Sequence, residues 1–367
     1  MKKIGILTFH KADNFGAVLQ NYALQQALFS LGTEPETIDY CCEKVESSYT
    51  IWTQVKGDVS ILRVLKSRAG DILNYRNAVI SKKRFEDFRK KYLRISSSRF
   101  CASTIRDAKY DVYIAGSDQI WNKEIVGTED LYAYTLAFAP HNTATFGASC
   151  GGMDCLIDDT QNLSRIEIVT VRESELCDEL KKRGIKCQVV CDPVFLLKRE
   201  QWIALIENMP KRKKRHIFLY YIDSGRDNAA MIANEISKKL GVKVHYPKRY
   251  DMKTIKNHYG INVFSDGPLE FIAEISGADF IVSSSFHGIA FSILMEKEFV
   301  AVLHEKTGDR VRNLLEYLGL NERIVVDLND FKNRSTYWKP IDYKSVKVKL
   351  EKWKEESIGY LREMSEL

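Results

Sequence analysis

The residues best suited to chemistry stand at a few short turns. One is the Ser-rich stretch Ser283 to Ser285, which breaks the apolar run Phe280-Ile-Val282 and is followed, from Gly288, by an apolar segment long enough for a helix. In an open parallel sheet such a strand-to-helix turn lies at the carboxyl end of its strand. Ligands bind there, and the free N–H groups of the new helix attract anions. His287 stands at this junction. A lone histidine more often serves packing. The convergence of hydroxyls, including that of Ser285, with a helix start and a titratable group points to a phosphorylated or carboxylated substrate.

Other turns have the same character. Asp111-Val-Tyr-Ile-Ala115 reads as a buried strand ending at Gly116, and Ser117, Asp118, Gln119 and Asn122 would surround its carboxyl-end loop. Trp121 is either a platform for a sugar ring or part of the core. The loop from His10 to Gly16 carries His10, Asp13 and Asn14, with Asn14 either a helix N-cap or a ligand contact. Arg172 closes the strand Ile168–Glu173 ahead of a helix over Ser174–Arg183, where it can fork onto a carboxylate or phosphate, or form a structural ion pair. Arg310 and Arg312 fall in the first turn of a helix over Asp309–Leu318. The macrodipole disfavours cations there, so both are expected to face a ligand or a carboxylate.

These turns need βα units to hold them, and the chain supplies them in order. Ile4 to Phe9 is apolar, and Asn14 to Leu31 has helical spacing, with Val18, Tyr22, Gln25/Gln26 and Phe29 on successive turns. Gly32 stops that helix, and Glu36–Tyr40 is a second strand. Residues 50–100 are basic and helical, with an amphipathic face through Phe85, Phe88 and Tyr92. Thr143–Ser149 and Ile168–Glu173 add strands, and the stretch Lys186–Leu197 adds another that Asp192-Pro193 ends. The alternation restarts at Arg215, with strands at Ile217–Ile222, Val242–Tyr246, Phe280–Val282 and Phe299–Leu303 and a helix at Leu269–Ser276. The expected division is one α/β domain over 1–190, a second over 191–340, and a C-terminal helix over 341–367 that crosses back to the first.

A chain of 367 residues with 45% hydrophobic and 28% charged residues has ample material for two packed domains. No segment approaches the roughly 20 apolar residues that span a bilayer. The apolar start at Ile4 ends at His10, too early for a signal peptide, and reads as a buried strand. Eight cysteines without paired C-x-x-C spacing are expected to be reduced, in a cytoplasmic protein. The formal charge of +6 is compatible with anionic substrates, nucleic acid or an acidic membrane surface. Lys211-Arg-Lys-Lys-Arg215 is read as a solvated link between elements. The basic helical region lacks a nucleic-acid motif, so no nucleic-acid partner is expected.

Taken together, Asn14-Phe-Gly-Ala17, Gly116-Ser-Asp-Gln-Ile-Trp-Asn122, Val171-Arg-Glu173, Asp192-Pro-Val-Phe-Leu-Leu197 and Ser285-Phe-His-Gly288 resemble the polysaccharide pyruvyl transferase family, in order, from about residue 3 to 330. The resemblance implies an α/β protein of two Rossmann-like domains facing across a cleft, similar to the GT-B type, with 1–190 on the acceptor side, where Asp118 would line the cleft, and 191–340 on the donor side. It implies transfer of the enolpyruvyl group of phosphoenolpyruvate to sugar hydroxyls as a pyruvate ketal, with phosphate released, in surface polysaccharide synthesis. His287 and Asp118 would be catalytic. Asn14, Ser117, Asn122, Arg172, Ser285, Gly288, Arg310 and Arg312 would bind substrate, without cofactor or metal. A saccharide acceptor, free or lipid-linked, would be the second substrate, with peripheral contact at the inner membrane surface. Many members carry arginine two residues before the histidine; here Ser285 stands there, and Arg172, Arg310 and Arg312 are the candidate replacements. The competing readings are a GT-B glycosyltransferase using a nucleotide sugar and a non-catalytic ligand-binding relative.

Overall fold

The computed structural model describes residues 1–53, 60–210, 215–221, 226–247, 260–303 and 308–367. The basic run at 211–214 lies outside the described residues; Arg215, which follows it, pairs with Asp279 at 3.1 Å. Two compact units emerge. The first joins Met1–Ser47, Arg89–Lys198 and Lys344–Leu367, and the second joins Ser48–Phe88 and Arg199–Tyr343. Ser48–Phe88, which the sequence reading placed in the N-terminal domain, therefore groups with the second unit.

The first unit is built on a parallel sheet of seven strands: β1 (Lys3–Leu7), β2 (Glu34–Tyr40), β3 (Ile95–Phe100), β4 (Val112–Ala115), β5 (Thr143–Ala148), β6 (Ile168–Val171) and β7 (Gln188–Val189). Their order is β3-β2-β1-β4-β5-β6-β7. Strands β4 and β5 are buried along their whole length, the pattern of a sheet covered on both faces. Helix α1 (Phe15–Ser30) departs from a one-sided amphipathic pattern. It is buried nearly all round, while Phe29 is exposed. Its buried amides make this tolerable. Gln20 Nε2 donates to Thr8 Oγ1 at 2.9 Å, and Gln25 Nε2 donates to Thr37 Oγ1 at 2.6 Å and to Arg94 O at 2.8 Å.

The second unit repeats the plan with six strands: β8 (His216–Tyr220), β9 (Lys243–Tyr246), β10 (Ile261–Asn262), β11 (Phe280–Ser283), β12 (Phe299–Val302) and β13 (Ile324–Val325). Their order, β10-β9-β8-β11-β12-β13, is the Rossmann order again. On one face Ile217, Leu219, Val244, Val282 and Val300 form a core with Ala229, Ile232, Ala233 and Ile236. These four lie on a helix over Arg226–Leu240. A long helix, α2 (Ile61–Tyr92), contributes buried Phe85 and Phe88. Among the described residues no helix is long and apolar enough to cross a membrane.

Candidate functional site

In both sheets the strand order reverses beside the first strand of the unit, between β1 and β4 and between β8 and β11. Ligands of open α/β sheets bind outside the carboxyl ends of the strands at such points. The loops after these strands carry most of the residues singled out from the sequence.

In the first unit, Thr8 Oγ1, just beyond β1, donates to Ser117 O beyond β4 at 2.8 Å, bridging the reversal. Asp192 then gathers three loops. Its Oδ2 accepts from Arg172 Nη1 at 2.6 Å and from Ser117 Oγ at 3.3 Å, while its Oδ1 accepts from Val194 N at 3.0 Å. Arg172 is therefore buried in an ion pair. Burial alone would lower the guanidinium pKa, but the neighbouring carboxylates of Asp192, Glu173 and Asp118 raise it, so Arg172 stays charged. The backbone is shaped for this contact by a register shift in β5 between Thr145 and Ala148. Within that shift Gly147 has φ +67, and a Cβ there would lie 3.3 Å from Arg172 Cγ.

Asp118 is one of the few non-glycine residues with positive φ, at 93°. Its strained turn is pinned on both sides: Gln119 N donates to Asp118 Oδ1 at 2.8 Å, and Ser149 N donates to Asp118 O at 3.1 Å. Trp121 is fully buried and its indole N–H donates to Tyr134 O at 3.1 Å, which makes it a core residue and not a sugar platform. Asn122 caps a short helix over Lys123–Val126, accepting from Glu124 N at 2.9 Å. Asn14 caps α1, accepting from Ala17 N at 3.2 Å. Asparagine tolerates positive φ as well as aspartate does. Asp118→Asn is thus expected to leave the melting temperature within a few degrees and, if the carboxylate serves the acceptor, to reduce turnover by about 10-fold or more. Unchanged acceptor KM and kcat would remove Asp118 from the reaction.

In the second unit the turn after β11 is held by Ser283, whose Oγ donates to Tyr220 O at 2.6 Å and accepts from Ser285 N at 3.0 Å. Ser285 is the N-cap of helix α3 (Phe286–Leu294). His287 is the second residue of that helix and is buried, with its ring edge-on to Phe286 at 5.3 Å between centroids. Gly288 is required by packing: a Cβ would fall 2.2 Å from Ser283 Oγ. Arg310 and Arg312 lie on helix α4 (Gly308–Leu318), which follows β12, the sheet neighbour of β11. Two residues apart on a helix they point in nearly opposite directions. Arg310 is buried and Arg312 is exposed, so only Arg310 is turned inward.

Two clusters were not visible in the sequence. Arg89 gathers the loop after β1, donating from Nε to His10 O at 2.8 Å and from Nη2 to Ala12 O at 2.8 Å and Asp13 Oδ1 at 2.6 Å. The second is a buried set of three, His216 on β8, His245 on β9 and Glu274 on a helix over Pro268–Gly277. Their ligand-capable atoms lie within 4.8 Å of one another, the one such metal-capable group among the described residues. Both imidazoles already hydrogen-bond to Glu274 Oε2, at 3.0 Å from His216 Nε2 and 2.8 Å from His245 Nδ1, and their rings stack at 4.2 Å. The three side chains thus form one hydrogen-bonded group centred on Glu274 Oε2.

Burial would raise the Glu274 carboxyl pKa, but the hydrogen bonds and charges of the two histidines push it down from the ordinary 4.5 to about 2. A lowered folded-state pKa stabilises the fold above 4.5, and that contribution is lost as pH falls toward about 2. The loss is expected to reach roughly 3 kcal/mol, and Glu274→Gln should flatten the acid side of a stability–pH curve measured by urea unfolding. A wild-type curve without an acid decline below pH 4.5 would contradict this assignment.

The fold is similar to that of the UDP-GlcNAc 2-epimerase of Neisseria meningitidis, solved with UDP-GlcNAc. The TM-score is 0.56 at 11% identity, covering 98% of this chain and 99% of that one. It is also similar to MnaA of S. aureus, solved with UDP, with TM-score 0.51 at 13% identity over 95% of this chain and 90% of that one. At such identities the likeness concerns the fold alone, two parallel-sheet α/β units of the GT-B type. No curated protein matches the sequence. The polysaccharide pyruvyl transferase family, by contrast, matches residues 14–306, a span that includes the Asp118, Arg172 and His287 turns. By that match over most of its length, the chain belongs to the polysaccharide pyruvyl transferase family.

Proposed function

We propose that this chain transfers the pyruvyl group of phosphoenolpyruvate to two hydroxyls of a saccharide, forming a ketal and releasing phosphate. The observation that supports this best is the placement of His287, buried in the first turn of α3 where the second sheet reverses its strand order. A helix start there favours the donor's carboxylate or phosphate, and an imidazole suits proton transfer near neutral pH. In the proposed reaction His287 delivers a proton to the methylene carbon as a sugar oxygen bonds to the adjacent carbon, and the proton of that sugar hydroxyl passes back to His287. The bond from that carbon to the bridging oxygen then breaks, the second hydroxyl bonds to the same carbon, and its proton leaves on the departing hydrogen phosphate. Arg310 is assigned as the anion-binding arginine of this unit, since it is buried in the first turn of the helix that follows the neighbouring strand and a guanidinium can fork onto a carboxylate or phosphate.

In the first unit we assign Asp118, Ser117 and the loop capped by Asn14 to the acceptor, and Arg172 to holding those loops through Asp192. The scheme needs no metal or cofactor, and the donor places the reaction in the cytoplasm. Phosphoenolpyruvate labelled with carbon-13 at its methylene, incubated with the protein and candidate saccharides, is expected to give a ketal methyl resonance and phosphate release that depends on the acceptor. Turnover of a nucleotide sugar under the same conditions, with phosphoenolpyruvate untouched, would overturn the assignment in favour of glycosyl transfer.

A further inference from the structure

The first five turns of α2, Ile61 to Val79, present their apolar side chains outward. Ile61, Leu62, Leu65, Ile72 and Leu73 are 60–79% exposed. The inward positions hold the polar Asp71 and Asn74, both buried, beside the small Ala78. Asp71 accepts from Thr53 Oγ1 at 2.6 Å and from Arg68 Nη1 at 3.3 Å, and Asn74 Nδ2 donates to Gly70 O at 2.7 Å. At 100° per residue the exposed apolar positions, Tyr75 and Val79 included, cover about 160° of the helix over a length of about 28 Å.

Charge selects the partner. This stretch holds Arg63, Lys66, Arg68 and Arg76 against the single acid Asp71, whose carboxylate is turned inward. A second copy of the helix would set basic groups against basic groups, and helix pairing uses a narrower seam with charges of both signs along its edges. A wide apolar sector interleaved with lysine and arginine fits a surface that is apolar beneath and anionic above. Aromatic groups stand at the same face. Trp52 and Tyr75 have ring centroids 5.8 Å apart, and the Arg68 guanidinium lies 5.9 Å from the Trp52 centroid.

We propose that this face of α2 lies in the headgroup region of an anionic lipid bilayer, with Leu65 and Ile72 at the centre of the inserted sector. The proposal stands independently of pyruvyl transfer, because vesicle binding is read without turnover. The full-length protein should bind phosphatidylcholine vesicles containing about a third phosphatidylglycerol, and binding should weaken with salt. Lys66→Gln with Arg76→Gln is expected to weaken it roughly 25-fold, and Leu65→Glu with Ile72→Glu by about 100-fold or more. All four side chains are exposed, so an unchanged melting temperature serves as the control for folding. Three results would overturn the proposal: no vesicle binding by the unmodified protein at low salt, equal binding by Leu65→Glu/Ile72→Glu, or a dimer in ultracentrifugation that this pair disperses without any vesicle binding.

Discussion

His287→Ala is expected to lower kcat by about 100- to 10,000-fold while donor KM changes far less, the signature of losing a positioned acid/base group. The size follows from where the side chain stands. The imidazole is buried in the first turn of α3, fixed against Phe286, and Ser285 in place of arginine leaves it the titratable group of the Ser-Phe-His-Gly turn. His287→Gln keeps much of the volume and the hydrogen-bonding capacity but cannot move a proton, so it should lose turnover to a similar degree. Added imidazole should restore part of the rate in His287→Ala and none in His287→Gln. Near-wild-type turnover in either variant, measured with phosphoenolpyruvate and a working acceptor, would end the catalytic role.

The second large effect is on stability. Asp192→Ala is expected to cost about 3–5 kcal/mol, because it leaves the Arg172 guanidinium buried beside a missing carboxylate. The same change releases Ser117 Oγ and Val194 N, so the loops after β4, β6 and β7 lose their common anchor. Arg172→Met combined with Asp192→Leu should recover much of the loss, since removing both charges also removes their desolvation cost. Urea unfolding of the single and double variants measures this. A cost below about 1 kcal/mol for Asp192→Ala would show that the pair does not organise this edge of the sheet. A donor KM raised in Arg172→Met, with stability intact, would instead return Arg172 to donor binding.

The βα alternation was legible because parallel strands buried on both faces read as short apolar runs. Phe280-Ile-Val282 and Phe299-Val-Ala-Val302 appear in the structure within a residue of where the sequence sets them. Local devices were legible for the same reason: Asn14 and its helix are adjacent in sequence, so a cap is visible from the residue type alone. What escaped depends on partners far apart in the chain. Arg89 binds a loop 76 to 79 residues before it, and His216 meets Glu274 at a separation of 58. The environment of Arg172 was open until Asp192, 20 residues on, was placed against it. Spacing also misled at Arg310 and Arg312, where residue type suggested one site and helix geometry sends the two side chains apart. The outward apolar face of α2 has ordinary amphipathic spacing in the sequence. Only the burial of Asp71 and Asn74 shows which way it turns.

The most direct test of the central claim is the comparison of phosphoenolpyruvate with UDP-GlcNAc as a ligand of the unmodified protein, by thermal shift over a concentration series. A ligand of the folded state at about 100 times its Kd adds roughly 2.7 kcal/mol of stability, enough to move the transition by several degrees. The expected result is a saturable rise in melting temperature with phosphoenolpyruvate, reduced in Arg310→Met, and no shift with UDP-GlcNAc. A saturable shift with UDP-GlcNAc and none with phosphoenolpyruvate would contradict the claim.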